Sequence, residues 1–163
     1  MNSWATPDQR VLLSLAEPVI KVSQRHIQAR PSDCEAGGLL LGTVHGSSLA
    51  VTEATVPTIW DKRLQYFFER MPFGHSSIAQ ARWLSSGGKV RYVGEWHTHP
   101  QDYPCPSGLD RTEWNKPCLS GWHTSTLPIV VWPCLAERHD PMCRHTGRDR
   151  WGRSDSRRYP ILM

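Results

Sequence analysis

A chain of 163 residues with 39% apolar and 21% charged residues is long enough to bury one core without disulfide staples, so a single domain of ordinary composition is expected. No apolar run reaches the ~18 residues of a membrane-spanning helix, which excludes that class. The net charge of +4 is uneven: residues 136–163 hold seven arginines against four acids, so the basicity belongs to the C-terminal stretch and does not mark the domain as a nucleic-acid binder.

In chain order, Val19, Val22, His26 and Ile27 fall at helical spacing and predict a helix over 19–30, stopped by Pro31-Ser32-Asp33. The apolar run GLLLGTV at 38–44, the turn residues Gly46-Ser47-Ser48 and the alternating LAVTEATV at 49–56 predict a hairpin. Beyond Pro57 a loop carries Trp60, Tyr66, Phe67 and Phe68, expected mainly as core, with a groove for an extended peptide as the second reading. Residues 75–86 predict a helix with Ile78, Ala81 and Trp83 or Leu84 inward, ended by Gly87-Gly88. Residues 89–97 predict a strand that Pro100 terminates, a short helix follows near Ser107, and 127–132 form a late strand. Trp83, Trp96, Trp114 and Trp132 are expected in the core. This order predicts a mixed α/β sandwich with a mostly antiparallel sheet. The expected division is a domain over 1–135 and a basic, Arg-rich tail over 136–163, read as a solvated end.

The chemistry concentrates at His97-Thr98-His99-Pro100 and Pro106-Ser107-Gly108-Leu109-Asp110. Residues two apart on a strand point to one face, so His97 and His99 can aim both rings at one point. Asp110 can fold back as a third ligand, leaving a fourth position for water, which is the arrangement of a catalytic zinc. Ser107 and Asp110 are equally explained as a helix N-cap with an acidic third position, but that leaves the histidine pair unexplained. A hydrolase also needs a proton shuttle, and Glu35, Glu53 and Glu95 are the candidates. Glu95 shares the face of His97 and suits a supporting role. Glu35 is the better base, because Ala36-Gly37-Gly38 lets another backbone or a ligand come close and the strand beyond anchors it.

These residues resemble the JAB/MPN/Mov34 metallopeptidases, the JAMM proteases. The motif of that family is an upstream glutamate, then HxH, seven residues, S, two residues and D, met here by Glu35, His97, His99, Ser107 and Asp110. The flanks EAGGLLLG and VGEWHTHP, with Pro106-Ser107, are similar to the prokaryotic branch. The resemblance covers roughly 15–132. It implies a cytidine-deaminase-like α/β/α sandwich and one zinc per chain on His97, His99 and Asp110. Glu35 would be general base and acid, and Ser107 would donate to the tetrahedral oxyanion. The implied reaction is hydrolysis of an amide or isopeptide bond, often after the C-terminus of a ubiquitin-like protein. At this size the chain looks like the deconjugating JAB peptidases of bacterial antiphage CBASS operons, whose substrate is a cGAS-like nucleotidyltransferase linked through its C-terminus. E1- and E2-like enzymes would be pathway neighbours.

The alternatives are a JAB peptidase that trims sulfur carriers, a catalytically inactive MPN-type interaction module, and a nucleic-acid binder acting through the tail. The inactive module is disfavoured because all five motif residues are present. Cys34, Cys105, Cys118, Cys134 and Cys143 are odd in number and irregularly spaced, which suits reduced thiols. No basic start followed by an apolar stretch opens the chain, so a cytoplasmic location is expected. Cys118 and His123 are two ligands, too few for a second zinc, and the spacing of Cys134, His139, Cys143 and His145 fits no standard site.

Overall fold

The computed structural model describes residues 2–5, 8–100, 130–131 and 161–162. In chain order these form β1 (Asn2–Ala5), β2 (Leu12–Leu15), α1 (Glu17–Arg25), β3 (Gly37–His45), β4 (Ser48–Ala54), β5 (Lys62–Leu64), β6 (Phe67–Glu69), α2 (His75–Ser85), β7 (Arg91–His97), β8 (Val130–Val131) and β9 (Ile161–Leu162). The main sheet runs β1-β2-β4-β3-β7, with β5-β6 and β8-β9 as separate pairs. Only β2 with β4 is parallel in the main sheet, so the mixed, mostly antiparallel architecture expected from the sequence is present.

The central strand explains its own composition. β3 lies between β4 and β7 and is buried along most of its length, so it reads as a continuous apolar run, without polar alternation. Its hairpin to β4 closes through Gly46 and Ser47, where Gly46 takes a positive φ of 61°. One face of the sheet carries the core of Leu13, Leu15, Leu40, Val51, Val93 and Trp96, with Val19 of α1 packed among them. Ala54 also joins that core, while its neighbour Glu53 meets Arg82 of α2 in a 2.8 Å ion pair. Adjacent strand residues point to opposite faces. The two helices therefore cover opposite sides, and the layering is α/β/α.

Several local expectations change. α1 ends at Arg25 and not near residue 30, because the Asp33 carboxylate takes the N–H groups of Ala29 and Arg30 into a turn ahead of Pro31. α2 does not turn Ile78 and Leu84 inward; both are exposed, as is Trp83. Its contact with the sheet is polar, through His75 and Arg82, and that sets the rotation of the helix. Residues 57–73 are not simply a loop: β5 and β6 pair, with Lys62 opposite Glu69 in a 2.8 Å ion pair. Trp60 and Tyr66 are exposed there and do not join the core; Phe67 and Phe68 are half-buried. β1 and β2 were not foreseen. Trp96 is buried as expected, whereas Trp114, Trp132, the helix near Ser107 and most of the tail lie outside the described residues.

One buried polar assembly ties the layers together. Asp61 Oδ2 lies 2.9 Å from His75 Nε2, and the carboxylate also accepts the N–H groups of Thr58 (2.6 Å) and Met71 (2.8 Å). Burial opposes ionisation of Asp61, but the hydrogen bonds from His75, Thr58 and Met71 outweigh it and hold the carboxyl below the usual range. A depressed carboxyl pKa contributes stability that is complete above the unfolded value of about 3.9 and is lost as pH falls through the lowered folded value. Acid titration followed by circular dichroism should therefore show Asp61→Asn with a shallower loss of stability below about pH 4 than the parent chain. At neutral pH Asp61→Ala should cost about 3–5 kcal/mol in denaturant unfolding, since it leaves buried donors without an acceptor.

Candidate active site

The pairing of β3 with β7 builds the site. Gly37 stands opposite His97 and Gly38 opposite Trp96. The pairing continues one step past the strand ends, where Ala36 N–H donates to Thr98 Oγ1 (3.0 Å) and Thr98 N–H donates to Ala36 O (2.8 Å). The next pair along that register is Glu35 with His99. Directly opposed residues share a face, and so do residues two apart on a strand. Glu35, His97 and His99 must therefore converge, and Trp96 must point away. Glu35 Oε1 is 3.4 Å from His99 Nδ1, and Nε2 of His97 and Nε2 of His99 are 2.9 Å apart. The two rings meet edge to face at 4.7 Å between centroids.

The glutamate is held by its main chain. Glu35 N–H donates to Leu64 O at 2.9 Å, and Arg63 Nε donates to Glu35 O at 2.8 Å. Both partners sit on β5, so the small hairpin clasps the segment that carries the carboxylate. Glu35 is 6% exposed, a low value for an acid. The glycines beside it have steric reasons. A Cβ on Gly37 would meet the Phe68 ring and, at 2.6 Å, the Trp96 carbonyl, and one on Gly38 would meet Thr55 O and Oγ1.

The other two glutamates are committed elsewhere. Glu95 accepts from Arg70 Nη2 (2.6 Å) and from Tyr92 O–H (3.2 Å), and Glu53 pairs with Arg82. Of the three sequence candidates, Glu35 is the one set against the histidines. Sequence reasoning missed Arg63, Leu64 and Thr98 as supports. Thr98 carried a signal, since a hydroxyl on the inward face between two paired histidines needs a partner.

Among the described residues no group of three or more His, Cys, Asp or Glu is placed to hold a metal ion. Asp110 and Ser107 lie outside the described residues. The donor chemistry that is present fits zinc. Tetrahedral ligation at about 2.0–2.1 Å puts two nitrogens about 3.3 Å apart, so the 2.9 Å imidazole pair needs only a small opening. The two half-buried rings are aimed at each other with a carboxylate alongside.

Residues 17–144 match the model of prokaryotic homologs of the JAB domain. The chain belongs to that family. It is similar to a Pseudomonas aeruginosa (strain BWHPSA011 / Pa011) protein named CD-NTase/cGAS isopeptidase, at 60% identity over 116 residues covering 71% of this chain and 73% of that one. An Escherichia coli (strain TW11681) protein of the same name is 33% identical over 107 residues, covering 66% and 67%. A third with that name, from Vibrio cholerae serotype O1, is 36% identical over 97 residues, covering 60% and 61%.

Gly37→Ala should disturb this site from the backbone outward. The added methyl has the Trp96 carbonyl in its way as well as the movable Phe68 ring. Thermal unfolding should report a loss of about 1–3 kcal/mol, and a substitution as mild as the parent would show that β3 and β7 can separate without cost.

Proposed function

We propose that this chain is a zinc-dependent isopeptidase that releases a cGAS-like nucleotidyltransferase from proteins to which its C-terminus is conjugated. The observation that carries the reading is the placement of a buried, main-chain-clasped Glu35 directly across from a converging imidazole pair. The names of the relatives support the substrate class, and the shared family supports amide hydrolysis. Antiphage defence in the cytoplasm, beside E1- and E2-like enzymes, is the setting this reading implies.

His97, His99 and Asp110 would hold the zinc. The chemistry such an ion supplies when bound is a water of pKa near 7 and polarisation of the scissile carbonyl. Glu35 takes the proton from the attacking water at a carboxylate oxygen and returns it to the leaving lysine amine. Its burial limits competing water, and its main-chain clasp leaves the carboxylate oxygens available for that transfer. Ser107 donates a hydrogen bond to the oxyanion as the carbonyl becomes tetrahedral. The substrate tail enters extended, since isopeptide cleavage requires the reacting carbonyl to reach the carboxylate and the imidazole pair together.

The test uses purified protein and a nucleotidyltransferase–lysine conjugate followed by electrophoresis. Cleavage that o-phenanthroline stops and added zinc restores is expected; a chain that leaves the conjugate intact with one zinc bound overturns the substrate assignment. Glu35→Gln should retain zinc by elemental analysis while turnover falls by about 10²–10⁴. Loss of zinc in that variant would make Glu35 a ligand and defeat its role as base. Asp110→Ala should lose zinc and turnover together, and full metal content in that variant would remove Asp110 from the ligand set.

A further inference from the structure

Thr55, His75 and Asp61 form a second chain of functional side chains that the hydrolytic reading does not use. Asp61 Oδ2 is 2.9 Å from His75 Nε2, and His75 Nδ1 is 2.6 Å from Thr55 Oγ1. The side chains of His75 and Asp61 have no solvent exposure, and Thr55 is 5% exposed. The order of hydroxyl, imidazole and carboxylate is that of an activated nucleophile. The surroundings forbid that use. Thr55 Oγ1 already accepts the Leu39 N–H at 2.8 Å, and no reacting carbonyl can reach a hydroxyl sealed in this way.

Every polar atom in this relay has a partner. An ionised Asp61 can only accept, so Nε2 of His75 carries a proton toward it. Both ring nitrogens of His75 are matched by a partner. Thr55 Oγ1 accepts the Leu39 N–H and shares a second hydrogen bond with His75 Nδ1. The same residue reaches the other strand through its main chain, because Trp96 Nε1–H donates to Thr55 O at 2.9 Å. Thr55 thus touches β3 at Leu39 and β7 at Trp96. Gly38, opposite Trp96, has no Cβ because one would fall on Thr55 O and Oγ1. The junction lies one residue pair from Gly37 and His97 in the register that ends at Glu35 and His99.

We propose that Thr55 and His75 are positioning residues, through which Asp61 and α2 lock the glutamate strand and the histidine strand at the separation that turnover needs. This rests on Glu35 and the histidine pair being the reactive centre. Neither residue touches that centre; each acts through Leu39 and Trp96. A purely structural role would lower stability and leave the turnover of folded protein intact. A positioning role lowers kcat in protein that is fully folded.

The experiment compares Thr55→Val, which keeps shape and deletes the hydroxyl, with Thr55→Ser, which keeps the hydroxyl, both at a temperature where calorimetry shows them folded. Kinetics on the conjugate should give Thr55→Val a kcat at least about tenfold lower with KM within about twofold, and Thr55→Ser should recover to within about threefold of the parent. A folded Thr55→Val with parental kcat, or with its loss in KM alone, overturns the proposal. If Thr55→Val does not fold, His75→Gln, which can still reach Asp61 but not Thr55, takes its place under the same criteria. Imidazole NMR signals of His97 and His99 give a readout independent of turnover. If the parent chain cleaves no conjugate, the functional reading fails by itself. The relay then stands if those signals move in Thr55→Val and return in Thr55→Ser, and falls if they do not move.

Discussion

The two-way hydrogen bond between Ala36 and Thr98 is the constraint on which the site depends. It extends an antiparallel pairing by one residue beyond the point where Pro100 would let the chains part. In such a pairing the sequence positions of opposed residues have a constant sum, so fixing one pair fixes the rest. Once Gly37 meets His97, Glu35 can only meet His99. A one-residue slip would turn Glu35 to the side occupied by Trp96 and bury a carboxylate in an apolar core, at a cost no other contact here offsets. The register is therefore enforced from both faces: by the buried Trp96 on one side and by the polar pair on the other.

Close approach is what makes that register possible. Side chains are absent at Gly37 and Gly38, and those spaces are filled by Phe68 and by Thr55. The ring brings β6 against the strand pair, and the threonine brings the end of β4. Elements from three places in the chain thus reach the same few ångströms of sheet. Irregularities in the ladders between Leu40 and Leu41 and between Leu41 and Gly42 fall farther along β3, away from the paired glutamate and histidine. Bulges re-aim side chains locally. Here they leave the end that carries Glu35 and the histidine pair in regular pairing.

Much of this could be read from the sequence, and the reasons for the rest are physical. The hairpin 37–54, the strand ending at His97 and the burial of Trp96 follow from apolar patterning and turn residues, which act over short distances. The close approach expected at Gly37 and Gly38 is present, with Phe68 and Thr55 in the spaces a Cβ would take. The β5–β6 hairpin escaped notice because its strands have three residues each and an exposed face, too short for alternation to register. The rotation of α2 was misread because apolar residues were assumed to face the sheet. His75 and Arg82 face it, and their partners Thr55 and Glu53 lie twenty or more residues away. Polar pairing of that range has no local signature. β1 and β2 escaped for a related reason: β2 joins the sheet parallel to β4, a partner some 36 residues on.

The placement of cations separates Glu35 from the other two acids that the sequence offered. Glu95 is tied to Arg70 and Glu53 to Arg82. In the proposed mechanism the shuttle accepts a proton and gives it up within each turnover, and a fixed cationic partner on its oxygens would raise the barrier to the first step. The cation that meets Glu35 is Arg63. Its guanidinium instead donates to the carbonyl oxygens of Glu35 and Cys34, at 2.8 and 3.4 Å. The positive charge thus orients the segment through its backbone and leaves the carboxylate facing His99. A lysine in that place, with a single ammonium and no planar fork, could not span two successive carbonyls in this way and would be drawn to the carboxylate itself. Holding Glu35 by its main chain gives it a rigid position while its carboxylate faces His99, and this hairpin is the element that allows both.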